Sequence, residues 1–588
     1  TGSKARRAAM GQTLPGTASS CATRSTAEGA TLRAPLAAED DYLGSPGPCS
    51  STGSPGRRSQ GRASGSPGRG GSQHFGRRFL LASGHGSLKS VYEPTGEREL
   101  GHGAFGWVER CRHRPTGQLR AVKRVAKRGS AQLRAVRHEV QVLRVLDHPN
   151  IVRLYEVFED ARYLYLCMEL CDGGELEDRI AQEERFSERT AAVIMRQLIS
   201  AVHYIHAIHH LAHRDIKTSN CVLVGGKDSP LEECEVKLID FGIACRCEPG
   251  ERLHGALGTA AYMAPEAWSN DYGLECDIWS LGLVLHELLC GRLPKSCEAD
   301  FSGPAWPTVS SDAKELVAGM LIKDPDRRWP LERCLEHRWI EHSAPSAAQG
   351  QLLHSDVVGN MRRYARSSVL RKAALQVIAT RMDEAEIQEL ERVFMQLDTN
   401  HDGVLTLKEL RAGLPATLTP SDLRQLFEEI DTDGDGFLEY TEFLAAALDA
   451  KRYLQEDVAW AAFQRFDQDG NGRITTEELR QVFAAGDGAA EGSLGVISVD
   501  NVEEIIAAAD KDGDGTVKFN EFLELLRTVP PAAKAAVQSR RPKKRPAAAA
   551  VARPVKRPAA HASPARKARV SHLKGASAVR KRPAARSG

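Results

Sequence analysis

The chain has 588 residues, 41% of them apolar and 27% charged, which is too long for a single core and too apolar for a chain disordered throughout. Its formal charge of +2 is a cancellation, since residues 1–98 carry +7, 99–380 carry −2, 381–529 carry −20 and 530–588 carry +17. No apolar run is long enough for a transmembrane span or a secretory signal, and thirteen cysteines, an odd number without framework spacing, point to reduced thiols in a cytoplasmic or nuclear setting.

Residues 1–90 are rich in Gly, Ser, Pro and Arg and have too few large apolar groups to offset the entropy of ordering, so disorder is expected there. The stretch Met10-Gly11-Gln12-Thr13-Leu14-Pro15 only half fits a myristoylation pattern, because Pro15 stands where a hydroxyl residue is wanted. Residues 91–342 begin with short Val/Ile/Leu runs and continue with long amphipathic stretches, which predicts a small strand-rich part followed by a larger helical one. Residues 343–380 form a basic junction with apolar side chains at helical spacing. Residues 381–529 repeat a helix, Asp/Gly loop, helix unit four times, and 530–588 is a Lys/Arg/Pro/Ala tail.

Within the second segment, Gly101, Gly103, Gly106 and Val108 form a G-x-G-x-x-G-x-V stretch, whose glycines let backbone N–H groups approach phosphate oxygens. Alone it is weak evidence. It is followed in order by Ala121-Val122-Lys123, by Glu139 in a helical pattern, by His213-Arg214-Asp215-Ile216-Lys217-Thr218-Ser219-Asn220, by Asp240-Phe241-Gly242 and by Ala264-Pro265-Glu266. That series resembles the eukaryotic protein kinase family over about residues 92–342. The resemblance implies a bilobal α+β fold that binds ATP and Mg²⁺. Lys123 would hold the α- and β-phosphates and pair with Glu139, Asp215 would take or orient the acceptor hydroxyl's proton, and Lys217 would neutralise charge on the transferring group. Asn220 and Asp240 would ligate Mg²⁺.

The same resemblance places Ala121, Met168, Glu169 and Val222 around the adenine, and Leu143, Leu154, His213 and Phe241 in an internal stack. Lys217 and Thr259 look like the branch acting on serine and threonine, and Glu175 falls where related kinases read a basic residue upstream of the target. The segment from Phe241 to Ala264 offers only Thr259 and Tyr262 for phosphorylation, so Arg214 is expected to find Glu248 or Glu251 in place of a phosphate. Between Gly291 and Phe301 the chain is shorter than the family by about one helix.

Each acidic repeat holds a twelve-residue D-x-[DN]-x-[DN]-G-x₅-E loop. The first carries Asp398, Asn400, Asp402 and Glu409, and the second Asp431, Asp433, Asp435 and Glu442. The third carries Asp467, Asp469, Asn471 and Glu478, and the fourth Asp510, Asp512, Asp514 and Glu521. Calcium takes six to eight oxygens, which these side chains and the position-seven carbonyls of Val404, Phe437, Arg473 and Thr516 supply. Apolar residues at position eight, Leu405, Leu438, Ile474 and Val517, are expected to pair the loops two by two. Lys518, ninth in the last loop, departs from the pattern and is expected to weaken that site. The region is therefore read as an all-α, calmodulin-like domain of four EF-hands.

In the junction, Leu370, Ala374, Ile378 and Met382 recur every four residues beside Arg362, Arg363, Arg366, Arg371 and Lys372, the pattern of a basic amphipathic helix that such a sensor would enfold. Kinase, junction and four loops in this order resemble the calcium-dependent protein kinases of plants and protists over about 440 residues. The resemblance implies phosphorylation of protein serine and threonine, with the junction blocking the kinase until calcium loads the loops. A kinase fold without turnover, acting as a calcium-responsive scaffold, is the competing reading, and the intact Lys123, Asp215 and Asp240 argue against it. The tail repeats Lys-Arg-Pro-Ala at 544–547, 556–559 and 581–584 without one acidic residue, as a nuclear import signal or a nucleic-acid patch would.

Overall fold

The computed structural model describes residues 82–83, 87–96, 100–103, 106–127, 130–225, 230–231, 234–295, 299–343, 353–382, 384–414, 418–484 and 502–528. The disorder expected over 1–90 falls outside these residues except at 82–83 and 87–90, where a short strand and the start of helix Leu88–Val91 stand instead, and the basic tail lies wholly outside them.

The strand-rich part is one twisted sheet. Its strands run in the order Ala82–Ser83, Leu154–Glu159, Tyr163–Met168, Leu119–Ala126, Gly106–His113 and Tyr92–Pro94, with Gly101–Gly103 also paired to Gly106–His113. All neighbours are antiparallel except the first pair. The strand Leu119–Ala126 buries five of its eight residues, as a central strand rich in Val and Ala should. Helix Ser130–Leu143 follows it and carries Glu139.

The helical part is organised by Glu188–Ala207, which has buried residues on every face and is therefore central to its layer. Ser187 caps it, accepting from the N–H of Thr190 at 3.1 Å. Against it packs Glu275–Cys290, closed by Gly291 in the left-handed conformation at φ 74°. A Cβ at that glycine would collide with the carbonyl of Glu184. In the short connection that follows, Phe301 meets Trp306 edge-on at 4.6 Å and Trp306 is buried against His286, so a compact aromatic cluster lies where the longer family segment was expected.

The junction is not one helix. It forms Ser355–Ala365 and Val369–Ala379, broken at Arg366–Ser368, where Ser367 donates its hydroxyl back to the carbonyl of Arg363 and Ser368 stands at the next helix start. Leu370, Ala374, Ile378 and Met382 are all buried, together with Met361 and Tyr364, in a shared core with Phe394, Phe443 and Phe463 of the acidic region. The basic groups are absorbed as well: Arg371 donates to Tyr453 and to the carbonyl of Leu526, and Lys372 to the carbonyl of Glu429.

Among its described residues the acidic region is mainly helical, and its loops pair as expected. Leu405 and Leu438 exchange backbone bonds at 2.9 Å, and Arg473–Ile474 pairs antiparallel with Val517–Lys518. The first two loops sit on the kinase part. Val404 belongs to the kinase core, and the carbonyl of His401 accepts from Ser200 and His203. Arg381, just past the second junction helix, reaches Glu156 on the edge-side strand of the sheet at 3.4 Å.

Candidate phosphotransfer and calcium sites

The catalytic loop is suspended from a buried carboxylate. Asp277, fully buried, accepts the N–H groups of His213 and Arg214 at 2.7 and 2.8 Å and pairs with His206 at 2.9 Å. Burial works against its charge, yet the bond from His206 and the backbone donors hold its carboxyl below the usual aspartate value. An acid placed directly before the apolar run from Ile278 to Leu285 was the available sequence signal for this residue.

Asp215 is oriented through both oxygens. Oδ1 accepts the N–H and hydroxyl of Thr259 at 2.8 and 2.7 Å, while Oδ2 accepts Lys217 at 2.9 Å and the Asn220 amide at 3.1 Å. Lys217 also donates to the Thr259 hydroxyl at 2.8 Å. Gly258 takes φ +114°, and a Cβ there would strike the carbonyl of Arg214, which is why this approach needs glycine. Base, cation and hydroxyl thus form one small network able to receive a proton beside a fixed positive charge.

Lys123 is buried and bonds both oxygens of Glu139, at 2.7 and 2.8 Å. Burial opposes its charge, but Glu139 and Asp240 outweigh that and keep the ammonium above the usual lysine pKa. Val108 is the strand partner of Lys123, and Ala121 that of Met168, so these four are fixed by sheet register. Gly101 and Gly103 lie on the strand paired to the one that Gly106 opens. Val222 sits on Cys221–Val224 opposite Glu175. Asp240 has φ 66°, an uncommon backbone for a non-glycine residue and one concentrated at functional sites. Phe241 packs on His213 with centroids 4.7 Å apart, and Leu143 and Leu154 are buried in the same core.

One sequence expectation needs correction. Arg214 does not meet Glu248 or Glu251: it donates to the carbonyl of Ile243 at 2.6 Å and to Tyr272, while Glu248 pairs with Arg246. The loop is held by neutral acceptors because Arg214, itself at φ 69°, points along the backbone of the Asp240 segment. The carboxylate of Glu169 is turned to Lys237 at 2.8 Å and to the N–H of Arg153 at 3.0 Å, so its part in holding a nucleotide would come from the main chain.

In each calcium loop the position-six glycine takes positive φ, from 79° to 90°, and its N–H bonds the position-one aspartate: Gly403 to Asp398, Gly436 to Asp431, Gly472 to Asp467 and Gly515 to Asp510. The closing glutamates Glu409, Glu442, Glu478 and Glu521 accept the N–H of position two. Carboxylate oxygens of Asp431, Asp433 and Glu442, of Asp467, Asp469 and Glu478, and of Asp510, Asp512 and Glu521 lie within 4.8 Å of one another. Burial and Asp402 push the carboxyl of Asp398 up to about 8, and burial and Asp433 push Asp435 to about 6. Oxygen donors crowded to that degree fit a hard divalent cation, and the donor set, with Asn400, Asp402, Asp514 and Asn471 beside these acids, fits calcium.

Sequence reasoning missed the contacts that join the two parts: Asp147 with Thr441, Glu156 with Arg381, and Arg153 stacked over Tyr440 at 5.5 Å.

Comparison with known proteins agrees with this geometry. Residues 95–340 match the protein kinase domain, and 387–448 and 455–527 each match an EF-hand domain pair. The chain is 39% identical to calcium-dependent protein kinase 15 of Oryza sativa subsp. japonica over 455 residues, covering 74% of this chain and 81% of that protein. It is 37% identical to calcium-dependent protein kinase 34 of Arabidopsis thaliana over 460 residues, 75% and 85% of the two chains. It is 34% identical to calcium-dependent protein kinase 3 of Plasmodium berghei over 469 residues, 77% and 83%.

Proposed function

The chain belongs to the calcium-dependent protein kinase family, and from that premise we propose how its junction switches the activity. It is a calcium-activated serine/threonine protein kinase that uses ATP and Mg²⁺. Lys123 and the glycine strand bind the nucleotide, and Asp215 and Lys217 receive the acceptor hydroxyl. Asn220 and Asp240 would hold Mg²⁺, whose charge offsets that of the phosphates.

The observation that carries the switch is where the junction lies. Both of its helices are buried in the sensor core, its anchor Arg381 is on the sheet at Glu156, and the Lys123–Glu139 pair is closed. We read this as the released arrangement. Calcium supplies the positive charge that the loop carboxylates need, and those loops then hold the junction away from the cleft. Without it the junction leaves the sensor and disables the kinase. Phosphorylation of a basic serine peptide should rise steeply with calcium and fall by about 10²–10⁴ in Asp215→Asn; equal activity in calcium and chelator would refute the switch.

Glu175, whose carboxyl is raised by burial and by Asp178 and Glu177, stands in an acidic cluster that supports a preference for substrates basic upstream of the acceptor. For the tail we propose nuclear import, on the support of its three acid-free Lys-Arg-Pro-Ala repeats, with nucleic-acid binding as the second reading. An unchanged distribution of a chain lacking 531–588 would refute import.

A further inference from the structure

The four loops share their ligand pattern but differ at position nine, which is Thr406, Glu439, Thr475 and Lys518. In the first and third loops the ninth side chain turns to the end of the loop: Thr406 donates to Glu409 and Thr475 to Glu478, at 2.7 Å each. In the fourth loop it turns inward. The Lys518 ammonium pairs with Asp512 and, at 2.6 Å, with Asp514, the carboxylates of positions three and five. A second cation comes from across the loop pair, where Arg473 in the third loop bonds the same Asp514 oxygen at 2.9 Å. The strand pairing of Arg473 with Lys518 fixes both of these side chains beside the fourth cage.

Resting on the calcium-sensor reading above, we propose that the fourth loop is self-blocked: Lys518, supported by Arg473, is the resident cation of its cage, and the chain answers calcium through the other three loops. Calcium needs direct contact with the oxygens of Asp512 and Asp514. Entering the cage therefore breaks two ion pairs and leaves a tethered ammonium within a few ångströms of the metal, so like-charge repulsion opposes the bound state and lowers affinity on the order of tenfold or more. Loops one to three have no cation at position nine. The pattern of ligands alone reads as four equal sites, and it is the side chain between them that separates the fourth.

The test is calcium binding by the full chain, measured by equilibrium dialysis with radiocalcium. It compares wild type, Lys518→Thr and the double variant Lys518→Thr/Glu521→Gln. Threonine is the residue that loops one and three already use, and the Lys518 side chain is partly exposed, so the fold is retained. Wild type should bind three ions in its tight phase, with a fourth at least about tenfold weaker. Lys518→Thr should bind four tightly, and the double variant should return to three. Four ions of one affinity in wild type, any other tight count above zero, or three tight ions in Lys518→Thr would overturn the proposal. No tight ion at all in wild type would refute the sensor reading itself, and this proposal with it.

Discussion

The carboxylate of Asp147 accepts both the backbone N–H and the hydroxyl of Thr441, at 2.7 and 3.0 Å, in a buried contact between residues 294 positions apart. Asp147 lies on the turn that follows the helix bearing Glu139, and Thr441 is the eleventh residue of the second calcium loop. The contact ties the segment that positions the Lys123–Glu139 pair to the loop that holds calcium. Its N–H half sits at the start of helix Tyr440–Ala447, where a carboxylate is also favoured by the helix dipole.

Removing that carboxylate should uncouple sensing from catalysis while leaving the calcium ligands and the catalytic residues unchanged. Hydrogen bonds to a buried charge contribute about 1.5–3 kcal/mol each. Asp147→Ala should therefore move the calcium concentration of half-activation upward by roughly tenfold or more, a factor that corresponds to about 1.4 kcal/mol. A calcium titration of phosphotransfer measures it, and an unshifted midpoint would show that the contact is idle.

Arg381 should matter less. Glu156 bonds Tyr92 at 2.7 Å and lies 3.9 Å from Arg120, so Arg381→Ala leaves the buried carboxylate with partners. The bond from Arg381 to the carbonyl of Ala461 is also lost. A midpoint shift smaller than that of Asp147→Ala is expected, equivalent to about 1 kcal/mol. A larger shift would place the main anchor on the sheet.

Asp215→Asn should lower kcat by about 10²–10⁴ while leaving the KM for ATP near that of the parent, because the residue acts on the acceptor hydroxyl and not on the nucleotide. Steady-state kinetics on a serine peptide separates the two. A raised KM for ATP with intact kcat would reassign the residue.

Lys123→Met strands the buried Glu139. Losing one member of a buried pair costs about 3–5 kcal/mol at neutral pH. In that variant burial holds the Glu139 carboxyl above its unfolded value, so the penalty applies above the unfolded pKa and fades once acid protonates the folded group. Urea unfolding should show the deficit at pH 8 and a smaller one near pH 5, and adding Glu139→Gln should restore most of it. A deficit independent of pH would point to lost packing instead.

The chemistry of both sites was legible because each is written locally. The run from His213 to Asn220 sets the proton acceptor, the cation and the metal ligand within eight residues, and each calcium loop closes within twelve. The positions of Lys123 and Glu139 needed only strand and helix patterns in sequence order. What could not be read lies between distant segments. Asp147, Glu156 and Thr441 are ordinary polar residues in their own neighbourhoods, and only tertiary packing gives them partners. The junction's apolar period from Leu370 to Met382 was visible, but it begins only after the break, which is marked by the Ser367 hydroxyl bonded back to Arg363 and by Ser368 at the next helix start. Arg214 was assigned an acidic partner in place of the loop phosphate that the kinase resemblance implied, and a backbone carbonyl and the Tyr272 hydroxyl, which sequence does not display as charge, took the place.

The central claim is that calcium keeps the junction inside the sensor and the kinase free. Hydrogen exchange over residues 355–382, followed in one sample alongside peptide phosphorylation as calcium is titrated, tests it most directly. Protection of the junction around Met361, Leu370 and Ile378 should rise with the same calcium midpoint as activity. Full activity with an unprotected junction, or protection that is already complete in chelator while activity still depends on calcium, would contradict it.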